Sequence, residues 1–133
     1  MRNENVRQAI STDSAPAAAG PYSQAIRAGD LVFTAGQLGL DPASGEFAAG
    51  DVGGQAERAL ANLAAILEAA DSGLDRLVKV TVYLADIGDW PAVNEVYARV
   101  IPEPFPARSA FAVKDLPKGA LVEIEAVATA GAG

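Results

Sequence analysis

The 133-residue chain predicts a single α+β domain, a mixed sheet of about six strands with two helices packed on one face. Three observations point there. Six short segments are β-branched or alternate between apolar and polar residues, and two longer ones carry apolar residues at helical spacing. No linker or internal repeat divides the chain, so residues 1–133 read as one domain. The predicted order is β-β-β-α-β-α-β-β.

The first three strands fall at residues 6–10, 23–28 and 31–37, and Gly29-Asp30 is a hairpin signal between the last two. Asp51 is a cap for the first helix, whose apolar stripe is Val52, Ala56, Ala59, Leu60, Leu63, Ile66, Leu67 and Ala70. Gln55, Arg58, Asn62 and Glu68 fall largely off that stripe, and Gly73 is a stop signal. The next strand, 78–85, sets Val78, Val80, Val82 and Leu84 against Lys79, Thr81 and Tyr83 on its other face. The second helix starts near Asp89 with Pro91 in its first turn, buries Trp90, Val93, Tyr97 and Val100, and stops before Pro102. Strands at 109–113 and 121–128 complete the set.

Two helices cover one face of such a sheet. The other face then carries Lys79, Thr81, Tyr83, Glu123 and Glu125 among apolar neighbours such as Leu121 and Val127. Two readings stand for that mixed face: it is solvated, or it packs against another subunit in a closed homo-oligomer.

Composition removes several classes of function. The chain has no His and no Cys, which excludes disulfides and thiolate chemistry and argues against structural zinc. A net charge of −7 argues against a nucleic-acid partner, which needs a basic face. No apolar stretch has the length of a membrane helix and the N-terminus lacks a secretory segment, so a soluble cytoplasmic protein without a membrane partner is expected. No glycine-rich phosphate loop or cofactor box is present, and neither cofactor nor metal is expected.

Chemistry must therefore rest on Arg, Glu, Tyr, Asn and backbone groups. Arg108, in Phe105-Pro106-Ala107-Arg108-Ser109, stands at a loop-to-strand junction. It reads either as a surface ion-pair residue or as a two-pronged clamp for an anionic small molecule. Glu123 and Glu125 share one side of an apolar strand, where a carboxylate is costly unless satisfied. One could hold a water and the other pair with Lys79, or both could face solvent. Tyr22 follows a rigid Gly20-Pro21 entry and reads as an interface, core or site tyrosine. Gly36 ends a strand, as a point of close ligand approach or as a bulge. Asn94 lies beside a helix stripe, either in a specific hydrogen bond or exposed.

Together these segments resemble the RidA (reactive intermediate deaminase, YjgF-type) family. The matching stretches include Gly20-Pro21-Tyr22-Ser23-Gln24-Ala25, Val93-Asn94-Glu95-Val96-Tyr97, Phe105-Pro106-Ala107-Arg108-Ser109, and Leu116-Pro117-Lys118-Gly119-Ala120-Leu121-Val122-Glu123-Ile124-Glu125-Ala126. The resemblance implies a chorismate-mutase-like fold and a homotrimer with sites between subunits. It also implies cofactor-independent hydrolysis of 2-imino acids, the tautomers of 2-aminoacrylate and 2-aminocrotonate, to 2-keto acids and ammonia. By that resemblance Arg108 binds the substrate carboxylate and Glu123 holds the water, while Tyr22, Gly36, Asn94 and Ala110 line the pocket. Two positions depart from the family pattern: Ala35 replaces a frequent Ser, and Ala110 a frequent Cys whose backbone can still meet a ligand. The resemblance leaves two other functions open, deamination of a larger enamine such as 2-aminomuconate, and a non-catalytic trimer that binds a keto acid.

Overall fold

The computed structural model describes residues 6–131. Its strands are β1 (Arg7–Ile10), β2 (Ala25–Ala28), β3 (Leu31–Thr34), β4 (Gln37–Leu38), β5 (Leu77–Leu84), β6 (Ala107–Ala112) and β7 (Val122–Thr129). The helices α1 (Val52–Ala69) and α2 (Trp90–Val100) fall before and after β5. One seven-stranded sheet runs β1-β2-β3-β7-β5-β6, with β4 also paired to β7. Every pairing is antiparallel except β5 with β6, the two strands that α2 connects.

Alternation decides the two faces. Val122, Ile124, Ala126 and Ala128 of β7 point to one side and join Val80, Val82, Leu84 and Val32 under the helices. From α1 come Leu60, Leu63, Ile66 and Leu67, and from α2 Val93, Val96 and Tyr97. Ala56 and Ala59 are fully buried, which lets α1 lie close to the sheet. The opposite face is open in the chain, with Phe33 and Phe111 each 44 % exposed and Leu31 37 % exposed. There Tyr83 meets Phe111 edge to face, ring centroids 5.5 Å apart.

Four expectations change. The strand expected over 31–37 is split. Phe33 pairs with Val127 but Gln37 with Ile124, so residues 34–36 stand against only Ala126 and Glu125. This is a bulge, and the Thr34 hydroxyl replaces a ladder bond by accepting from the Ala126 amide at 3.0 Å. A second irregularity, between Leu77 and Lys79, turns Val78 out to 45 % exposure and gives its core place to Leu77. The first helix ends at Ala69 rather than Gly73. Asp71 takes the left-handed turn (φ 60°), with Ser72 N–H donating to the Leu67 carbonyl at 2.8 Å. Finally, β6 begins at Ala107, so Arg108 lies inside a strand and not at its entry.

Candidate functional site

A cleft of about 570 Å³ opens beside the bulge, a size suited to a small metabolite. Tyr22, Ala35, Gly36, Lys118 and Glu123 line it. Glu123 sits between buried Val122 and Ile124, pairing with Tyr83 on one side and Leu38 on the other, and so points to the face away from the helices. Gly36 makes room for it. A Cβ on Gly36 would collide with the Glu123 carboxylate and stand 2.9 Å from its Cδ, so no larger residue fits while Glu123 keeps this position. Burial raises the Glu123 pKa above the ordinary carboxylate value, and the like charge of Glu125 adds to the rise. Lys79 lies opposite Val127, and among the described residues no ion pair joins it to Glu125. Tyr83 is also shifted upward, first by burial and then by Glu125 and Glu123.

Buried amides hold the walls of this cleft. Gln24 accepts from the Thr12 amide at 2.7 Å and donates to the Pro16 carbonyl at 2.8 Å, which fixes the connector that packs beside Tyr22. Asn62 donates to the Leu38 and Leu40 carbonyls at 3.2 and 3.0 Å and accepts from Arg58. Gln55 accepts from the Leu121 amide at 3.0 Å, two residues before Glu123. Gly39 lets this wall touch α1, since a Cβ there would stand 2.5 Å from the Gln55 carbonyl oxygen. Gln55 and Asn62 are 4 % and 0 % exposed, which corrects their expected place off the buried stripe. Their signal in the sequence is a spacing of seven, two helical turns on one face.

Arg108 lies on the other face. It pairs with buried Val80, and its guanidinium turns toward α2. There it donates to Asn94 Oδ1 at 2.9 Å and lies 4.6 Å from the Trp90 ring centroid and 4.8 Å from that of Tyr97. Ala110, two residues on, shares that face and packs against the same core. The ion pair among the described residues joins Arg99 to Glu57 and does not involve Arg108. The Tyr97 hydroxyl is buried with no hydrogen-bond partner among the described residues, and burial raises its pKa while the Arg108 charge pulls it the other way. Trp90 and Tyr97, read from sequence only as core, are thus contacts of Arg108.

The candidates therefore fall into two groups within one chain. Tyr22, Gly36 and Glu123 meet at the cleft, while Arg108, Asn94 and Ala110 meet on the helix side of the sheet. Among the described residues no group of three His, Cys, Asp or Glu could hold a metal ion. Nor is any described helix long and apolar enough to cross a membrane.

This architecture is the chorismate-mutase-like α+β fold. The structure of E. coli TdcF with bound serine superposes with a TM-score of 0.88 and 39 % identity, covering 92 % of this chain and 98 % of that one. The Endoribonuclease L-PSP family matches residues 12–130. The RutC family protein y4sK of Sinorhizobium fredii is 55 % identical over 118 residues, 89 % of this chain and 94 % of its own. The 2-iminobutanoate/2-iminopropanoate deaminase of Capra hircus is 52 % identical over 126 residues, 95 % of this chain and 92 % of its own. The chain belongs to this Endoribonuclease L-PSP family, the YjgF/RidA proteins.

Proposed function

We propose that the chain is a cofactor-independent deaminase of short 2-imino acids, such as 2-iminopropanoate and 2-iminobutanoate, and that it works as a homotrimer. The observation that carries this reading is the division of the site. Arg108 and Glu123 lie on opposite faces of one sheet. A cyclic assembly that lays one chain's β6 and α2 against the next chain's cleft completes both halves at once. The exposed apolar residues Leu31, Phe33 and Phe111 give that assembly a surface to bury. The name of the goat relative supplies the reaction class, and the serine in TdcF fits a pocket for a small molecule bearing a carboxylate.

The chemistry then needs little machinery. Arg108 binds the substrate carboxylate through N–H groups that Asn94 leaves unused. The iminium carbon is already electrophilic, so a positioned water suffices to attack it. As the water oxygen bonds to carbon, Glu123 takes one of its protons and the C=N electron pair moves to nitrogen. Glu123 returns the proton to that nitrogen, the C–N bond breaks, and the remaining hydroxyl becomes the keto carbonyl. Its proton leaves with the ammonia as ammonium. A carboxylate held above its ordinary pKa is better matched to accept and return a proton near neutrality.

The family description also names an endoribonuclease. A net charge of −7 and a cleft built around Glu123 oppose a polyanionic RNA, so the small imine is preferred. A second reading rests on Lys118, which lines the cleft with φ 59°, a backbone region that side chains rarely adopt. Its ammonium offers a second carboxylate a partner, as a dicarboxylic enamine would require. The deciding assay generates 2-aminoacrylate with a dehydratase and traps it with semicarbazide. Wild type is expected to suppress the trapped product, and Arg108→Ala to do so at least roughly 100-fold less well. No suppression by wild type, or equal suppression by Arg108→Ala, overturns the proposal. Turnover confined to a dicarboxylic enamine selects the second reading.

A further inference from the structure

Trp90, Asn94 and Tyr97 recur at i, i+4 and i+7 on α2 and so share one face of the helix. That face meets Arg108, which donates to the Asn94 amide oxygen and lies 4.6 and 4.8 Å from the centroids of the two aromatic rings. Arg108 is exposed in the chain, and an unrestrained arginine there would sample many rotamers. Among the described residues one N–H of its guanidinium is used, by Asn94, and four of five donors stay available to a ligand. The Tyr97 ring attracts the cation through its face, and burial, which raises the pKa of its phenol, disfavours the phenolate.

We propose that Trp90 and Tyr97 are positioning residues that hold the Arg108 guanidinium against their rings, so that its remaining N–H groups meet a ligand carboxylate in one orientation. This rests on the reading that Arg108 clamps a carboxylate. Because the chain contains one Trp, Trp90 emission reports the arrival of an anion at Arg108. Tyr97 is buried in the core, so Trp90, at the edge of the cradle, is the residue to vary.

The experiment measures 2-oxobutanoate binding by calorimetry, imine hydrolysis by the semicarbazide assay, and Trp90 emission across a 2-oxobutanoate titration. Trp90→Leu is expected to raise both Kd and KM by roughly 5- to 30-fold, the effect of losing one desolvated cation–π contact, with a smaller change in kcat. Trp90→Phe restores binding to within about threefold, since the ring face is kept. Wild-type emission changes with ligand, and Arg108→Ala abolishes the change. Binding by Trp90→Leu within twofold of wild type overturns the proposal, as does a Trp90→Phe variant as weak as Trp90→Leu. Wild-type emission blind to 2-oxobutanoate overturns it as well, and this arm decides alone if Trp90→Leu does not fold. Wild type that binds 2-oxobutanoate through Arg108 but hydrolyses no imine sinks the deaminase reading and leaves the cradle standing. An active deaminase with an unchanged Trp90→Leu KM sinks the cradle alone.

Discussion

Glu123 is half-buried beside a second carboxylate, and both facts penalise its charged form. Glu123→Gln keeps the shape and removes the charge. It is expected to lower kcat by about 100-fold or more, the usual scale for losing a positioned acid or base. Its stability effect has a definite sign. Because the folded pKa is raised, protonation of Glu123 favours the fold below the ordinary carboxylate range, and that contribution is lost as pH rises through the raised value. Glu123→Gln should therefore melt above wild type at pH 8 and lose this advantage near pH 4, as paired thermal melts would show. A variant less stable than wild type at both pH values contradicts the assignment. Strand spacing by itself shows Glu123 as a charge in an apolar strand and not as a desolvated one, because desolvation depends on Gly36 and β4, which the pairing brings beside it.

Elements are most legible in the sequence where the signal is local. Asp51 caps α1 by accepting from the Gly54 amide at 3.2 Å, and Pro91 lies in the first turn of α2, both as the spacing predicts. The end of α1 differs from the sequence expectation: Gly73 signals a stop, but the left-handed position is Asp71 (φ 60°). A β-carbon in that region costs energy that glycine avoids, partly offset by glycine's freedom in the unfolded chain. Asp71→Gly is thus expected to stabilise the protein by about 0.5 kcal/mol, measurable as a shift in the urea midpoint at constant slope. A fall in the midpoint would mean that the Asp side chain contributes more than its backbone strain costs. The two bulges were not legible, because each is a mismatch between distant strands: residues 34–36 against Glu125 and Ala126, and Val78 against β7.

Across the whole molecule, the sheet face away from the helices sets the next question. It presents Leu31, Phe33 and Phe111 to solvent in the isolated chain, and among the described residues β6 ends the sheet with one edge unpaired. The proposed trimer is expected to show three times the 13.5 kDa chain mass by light scattering at micromolar concentration. Phe33→Glu, a charge placed on that face, should release monomers and abolish deamination together. A wild-type monomer overturns the assembly and, with it, a site completed across subunits.

By itself the sequence determined the α+β class, the run of strands and helices apart from the two-residue β4, and the identity of the unusual charges. Those follow from periodicity and capping, which act between residues a few positions apart. Only the tertiary structure decided where the charges point. The parallel register of β5 with β6 puts Arg108 level with Val80 and turns it toward Trp90, Asn94 and Tyr97. The antiparallel register of β5 with β7 puts Glu123 level with Tyr83 on the opposite face. In a sheet a one-residue change of register exchanges the faces, and register is set by contacts between strands far apart in the chain.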